Sequence, residues 1–171
     1  DLGCATGDAV SAWSDRSSNG YSAAQSTSSY QPSCRAAVPS LGGRAAVRFG
    51  ESATTLLTLG SDPIYVAGGT GMTVFIVVAN IQRYEESSAM FLFDQGSYGN
   101  AGFGLSVSSG GFGCYTPSDH GGAAAGSGAM ELNQTAGHVI TMRVTFGSEQ
   151  TVWIDGDQAV SASITLTTLE S

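Results

Sequence analysis

The sequence predicts an all-β fold, two packed antiparallel sheets, and three observations carry that prediction. Apolar and polar residues alternate with period 2 in run after run. Glycine is abundant, at 24 of 171 residues, and serine is frequent, a mix suited to short strands joined by tight turns. No window shows the apolar stripe of an amphipathic helix, and charged residues, the usual furniture of exposed helix faces, make up only 12%.

Each element follows from its residues. The first alternating run is 10–13, and a turn-rich stretch occupies 14–21. Cys34 follows Pro32 in the connection to the next run, in which Ala45, Val47 and Phe49 share one face. A third run covers 54–59. Residues 72–79 are apolar on both faces and rich in β-branched side chains, which predicts a central strand covered on both sides. In 89–94, Phe91 and Phe93 oppose Met90 and Leu92. Phe103, Leu105 and Val107 point one way in the next strand. The clearest alternation is 138–146, with Ile140, Met142, Val144 and Phe146 inward and Thr141, Arg143 and Thr145 outward. Thr151-Val152-Trp153-Ile154 leads into Asp155-Gly156, a strong hairpin signal. About nine or ten short strands at this spacing favour a sandwich over a small barrel.

Length and charge narrow the function classes. A chain of 171 residues fits a single domain on the usual scale of roughly 100–200 residues. The net charge is −8, all six basic residues are arginine, and they do not cluster, so nucleic acid is not an expected partner. The same balance disfavours anionic membrane surfaces, and no run approaches the ~18 apolar residues of a membrane helix. Three cysteines allow one internal disulfide and leave one sulfur over. With no Cys-x-x-Cys or Cys/His grouping, a zinc site is not expected.

The segment Ala9-Val10-Ser11-Ala12-Trp13-Ser14-Asp15-Arg16-Ser17-Ser18-Asn19-Gly20, then Ala23-Ala24-Gln25 and Arg44-Ala45-Ala46-Val47-Arg48-Phe49, resembles the concanavalin A-like lectin/glucanase superfamily. The closer likeness is to its laminin-G-like modules, which open with a similar Trp-x-Asp-x-Ser-Gly-Asn-Gly turn and continue into a Pro-Ala-Val-Arg-Phe-Asp-Gly strand. Thr73-Val74-Phe75-Ile76-Val77-Val78 is similar to that family's next core strand, and residues 139–156 to its late hairpin. Ser18 and Gly50-Glu51 depart from the pattern. The resemblance implies a jelly-roll β-sandwich in a secreted or cell-surface protein. It implies that Cys4 and Cys34, near one edge of that fold, are bridged, leaving Cys114 free or paired outside the chain. It also implies that the family's first and last strands are missing from 1–171, so that a neighbouring chain or segment completes the sheet.

Candidate sites follow from residue chemistry. In the 15–20 turn the Asp15 carboxylate has a structural role, accepting backbone N–H groups, and a functional one, as a calcium site with the Asn19 amide and turn carbonyls. Asp94, Asn100 and Asp119 are further oxygen donors. Tyr84, Tyr98, Phe112 and Tyr115 fall in or beside connections, near Asn100, Asp119 and His120, as sugar-stacking platforms or as ordinary packing. Trp13 and Trp153 fall within strands, as core or sheet surface. Asn133-Gln134-Thr135 is a glycosylation sequon in a host that glycosylates secreted proteins.

Catalysis is not expected. The superfamily's glucanases carry a Glu-x-Asp-x-Glu run that sets two carboxylates on one strand face, and nothing here matches it. Glu85-Glu86 are adjacent and point oppositely, while Asp155-Gly156-Asp157 sits in a turn. Gly50-Glu51-Ser52-Ala53-Thr54 fails as a nucleophile elbow at its last position. The expectation is therefore a non-catalytic carbohydrate-recognition or adhesion module whose partner is a glycan or an extracellular protein. The alternative is a structural subunit of an extracellular assembly without sugar binding.

Overall fold

A computed structural model describes residues 3–50, 55–59, 70–79, 90–95, 103–108, 111–115 and 136–163. Among them the regular structure is β, apart from two single 3-10 turns, and every strand pairing is antiparallel. The chain is all-β, as its alternation predicts. Its contacts divide into two compact units, Asp1–Tyr65 and Val66–Ser171.

In the first unit, β1 (Ala12–Trp13) pairs with β2 (Ala23–Ala24), and β3 (Ser33–Val38) pairs with β4 (Arg44–Arg48) across the 3-10 turn Pro39–Leu41. Pro39 suits that turn because its ring fixes φ near the helical value at the first position. The segment ahead of β1 is laced to β3. The Val10 amide donates to the Pro32 carbonyl (2.8 Å), the Cys34 amide to the Asp8 carbonyl (2.8 Å) and the Gly7 amide to the Cys34 carbonyl (3.0 Å). Cys4 and Cys34 are disulfide-bonded, with Cα atoms 6.3 Å apart. Cys34 thus lies in a strand rather than a connection. Val10, Pro32 and Cys34 are the buried side chains among the described residues of this unit.

The second unit holds a four-stranded sheet of order β11-β10-β9-β5, made of β5 (Gly71–Ala79), β9 (Gly137–Thr145), β10 (Glu149–Ile154) and β11 (Asp157–Ser163). It also holds a three-stranded sheet of β6 (Met90–Gln95), β7 (Phe103–Ser108) and β8 (Gly111–Tyr115). Alternation decides which face is apolar. Ile140, Met142 and Val144 of β9, Val152 and Ile154 of β10 and Val160 of β11 are buried, as is Leu105 of β7. Each such side chain contributes roughly 1.5–3 kcal/mol of burial. β5 continues this face, because Met72, Val74 and Ile76 lie opposite Val144, Met142 and Ile140.

The β10–β11 hairpin turns at Asp155-Gly156, as predicted. Asp155 has φ 52° and Gly156 φ 93°, the left-handed pair that a two-residue turn between twisted strands requires. A bulge at Ala159 shifts the register, with Val152 opposite Val160 but Trp153 opposite Gln158. Gly71 opens β5 where a Cβ would run into the Val144 carbonyl oxygen, so only glycine permits the strand's close approach to β9.

One strand departs from expectation. Among the described strands β5 ends the sheet order, and its second face is open: Phe75 is 70% and Val77 63% exposed. A uniformly apolar, β-branched run is as compatible with an edge strand as with one covered on both sides, because apolarity does not report which backbone edge is paired.

Candidate functional site

The open face of the four-stranded sheet is the described surface with binding chemistry. Pairing register builds it. Phe75 of β5 lies opposite Thr141 of β9, which lies opposite Trp153 of β10. The neighbouring row runs Thr73, Arg143, Thr151, Ser161 across β5, β9, β10 and β11. Val139, 43% exposed, extends the apolar part beside Val77. The Arg143 guanidinium carbon sits 5.2 Å from the Trp153 ring centroid, a cation–π contact. Its Nη2 donates to Glu149 Oε1 at 2.8 Å, so the cation is fixed from two sides. Thr151 is the buried member of this row, its Oγ1 3.3 Å from Ser161 Oγ. The result is an open face with an exposed phenyl ring, an arginine stacked on an indole, a half-exposed carboxylate and the hydroxyls of Thr73 and Thr141. Such a face suits a ligand with both apolar C–H surface and hydroxyls.

The 15–20 turn is a second polar cluster, and it is self-contained. Asp15 Oδ1 accepts from the Ser17 amide (2.7 Å), while Oδ2 accepts from the Ser17 hydroxyl (2.6 Å) and the Tyr21 amide (2.9 Å). The Asn19 backbone N–H donates to Ser17 Oγ at 3.2 Å, and the Asp15 backbone N–H to Ser22 Oγ at 3.1 Å. The Ser17 hydroxyl bond first, then the backbone donors, hold the Asp15 carboxyl below its ordinary 3.8. Calcium takes 6–8 oxygen ligands. Here the one carboxylate aims its lone pairs at N–H and O–H donors, and no group of three or more His, Cys, Asp or Glu gathers among the described residues. In this arrangement the Asp15 carboxylate is engaged by donors of its own turn.

A third cluster clamps the end of β9. His138 Nδ1 lies 2.7 Å from Asp155 Oδ2, Asp155 Oδ1 accepts from the Val139 amide (2.9 Å), and the Asp155 amide donates to the Val139 carbonyl (2.9 Å). The His138 bond, then the Val139 amide, lower the Asp155 carboxyl below 3.8.

Of the residues singled out from the sequence, Tyr84, Tyr98, Asn100, Asp119, His120 and Asn133 lie outside the described residues. Phe112, Cys114 and Tyr115 lie in β8, with Phe112 and Tyr115 near its two ends. The register sets Asp94, Gly104 and Tyr115 in one row across β6, β7 and β8. Trp13 is in β1 and 47% exposed, and Trp153 is half-buried on the sheet surface. Phe75 was not singled out, since a strand covered on both faces would bury it. The outward set Thr141, Arg143, Thr145 held the missing signal: any strand pairing with β9 in register must turn one of its own faces the same way.

Comparison of the chain with protein-family models, with curated proteins and with solved structures finds no match in any of the three. No helix among the described residues is long and apolar enough to cross a membrane.

Proposed function

We propose that the chain is a non-catalytic recognition or adhesion module of a secreted or cell-surface protein, a jelly-roll β-sandwich of the concanavalin A-like kind that binds carbohydrate. The exposed Phe75 ring on the open sheet face carries this reading, with the hydroxyl-bearing Thr141 directly opposite it on β9 and Arg143, paired with Glu149, in the neighbouring row. A pyranose stacks its C–H face on an aromatic ring while polar neighbours bond its hydroxyls. Arg143 is already paired and the chain is acidic overall, which favours neutral over anionic glycans. The Cys4–Cys34 disulfide accords with an oxidising compartment.

The test is a screen of the whole chain against a glycan array, followed by titration of any hit. Saturable binding to a neutral glycan is expected, weakened about tenfold or more by Phe75→Ala, since a buried aromatic anchor is commonly worth more than 1 kcal/mol. No saturable binding to any glycan would favour the second reading, a structural subunit of an extracellular assembly. The edge of β5, unpaired among the described residues, supports that one.

A further inference from the structure

We propose that β5 is a self-complementary dimer seam, pairing antiparallel with β5 of a second copy of this chain to join two four-stranded sheets into one. This inference does not depend on the chain binding a glycan.

The hydrogen-bond parity shows which backbone groups the strand offers. The Phe146 amide donates to the Thr70 carbonyl at 2.9 Å, in the same register that pairs Gly71 with Thr145. Bonded pairs alternate along an antiparallel ladder, so residues 72, 74, 76 and 78 bond to β9. The Asp155 amide on the Val139 carbonyl sets the complementary parity on the far side of β9. Gly71, Thr73, Phe75, Val77 and Ala79 therefore turn their N–H and C=O groups away from β9. Among the described residues no strand pairs with that edge.

Natural edge strands are blunted by charge, proline, bulges or shortness. β5 has none of these: it is nine residues long, in unbroken register with β9, and contains no charged residue and no proline. The seam thus carries no like-charge repulsion even though the chain bears −8. An edge of this kind is a template for another strand.

The sequence of the strand indicates which one. Gly71-Met72-Thr73-Val74-Phe75-Ile76-Val77-Val78-Ala79 is nearly symmetric in size and branching about Phe75. A two-fold axis at Phe75 sets Gly71 opposite Ala79, Thr73 opposite Val77 and Phe75 opposite its own copy. These are the five outward-facing positions, so the pairing forms about ten main-chain hydrogen bonds. On the inner face Val74 meets Ile76 and Met72 meets Val78, extending the apolar layer across the seam. An isologous interface needs this self-complementarity, and an unrelated partner strand would not. On the outer face the two Phe75 rings come side by side, doubling the exposed aromatic surface.

Register-specific charge pairs test the seam while leaving Phe75 intact. The whole chain is examined by sedimentation equilibrium over a broad concentration range, as wild type, as Thr73→Glu/Val77→Glu and as Thr73→Lys/Val77→Glu, with circular dichroism confirming the fold. Both side chains are exposed, so the substitutions spare the core. The wild type is expected to dimerise. The first variant sets like charges opposite each other twice and should weaken dimerisation by roughly a hundredfold; the second sets opposite charges there and should restore it. A wild type that stays monomeric, a like-charge variant that still dimerises, or loss of the dimer in both variants overturns the proposal.

Discussion

At Asp15 one carboxylate accepts three hydrogen bonds from within its own turn, and this has a consequence for pH. Its folded-state carboxyl lies below 3.8, so the stability it adds is present above the unfolded value and is lost as pH falls through the folded one. Asp15→Ala should therefore lower Tm at neutral pH, and its difference from wild type should narrow on acidification below about pH 4. Thermal melts at several pH values check this, and a gap that stays constant into strong acid would count against the carboxylate's role. Chelator and added calcium should leave Tm unmoved; a calcium-dependent rise that Asp15→Ala abolishes would return the turn to the metal-site reading. Asn133, Tyr84 and Tyr98 lie outside the described residues, and the residue-scale features of the described ones are Asp15, the Arg143–Trp153 pair and Phe75.

The hairpin formed by β10 and β11 joins residue to element, because its two-residue turn sets the register of both strands. Gly156 has φ 93° with open space where a Cβ would stand, so Gly156→Ala meets backbone strain alone and should cost roughly 1–2 kcal/mol. Chemical denaturation measures it, and an unchanged midpoint would show that the turn relaxes without penalty. The elements best legible in the sequence are those with clean alternation and a marked turn, such as β9 with Ile140, Met142 and Val144 buried, and the Asp155-Gly156 hairpin. β3 was not legible, because Ser33-Cys34-Arg35-Ala36-Ala37-Val38 lacks bulky alternating residues and is held as a strand by pairing with β4 and by the disulfide. β8 is hard to read because Gly111 and Gly113 interrupt its alternation, yet they lie opposite Ser108 and Ser106 in a regular ladder. The open face was illegible for a further reason. Whether Phe75 is buried depends on what lies beyond β5, and residues 71–79 do not encode that.

At the scale of the whole molecule, the two units differ in how their described residues are held together. The second buries Leu105, Ile140, Met142, Val144, Val152, Ile154 and Val160, an apolar set shared among four strands. In the first, the buried side chains are Val10, Pro32 and Cys34, too few to hold the segment by burial alone. The Cys4–Cys34 bond therefore carries weight there out of proportion to its size. It closes a loop of sequence separation 30, for which chain-entropy reasoning gives roughly 3–4 kcal/mol. The amides that bracket it, Gly7 on Cys34 and Cys34 on Asp8, depend on the same closure to stay in register with β3. Reduction, or Cys4→Ser/Cys34→Ser, should thus raise hydrogen exchange most at residues 7–10 and 33–38, while amides of β9 and β10 keep their protection. Exchange mass spectrometry on the oxidised and reduced chain reads both regions in one experiment. If protection fell equally in β9 and β10, the disulfide would be stabilising the chain as one cooperative whole. If it fell in neither, the lacing of residues 7–10 onto β3 would hold without the bond, and an oxidising compartment would not be needed for the fold.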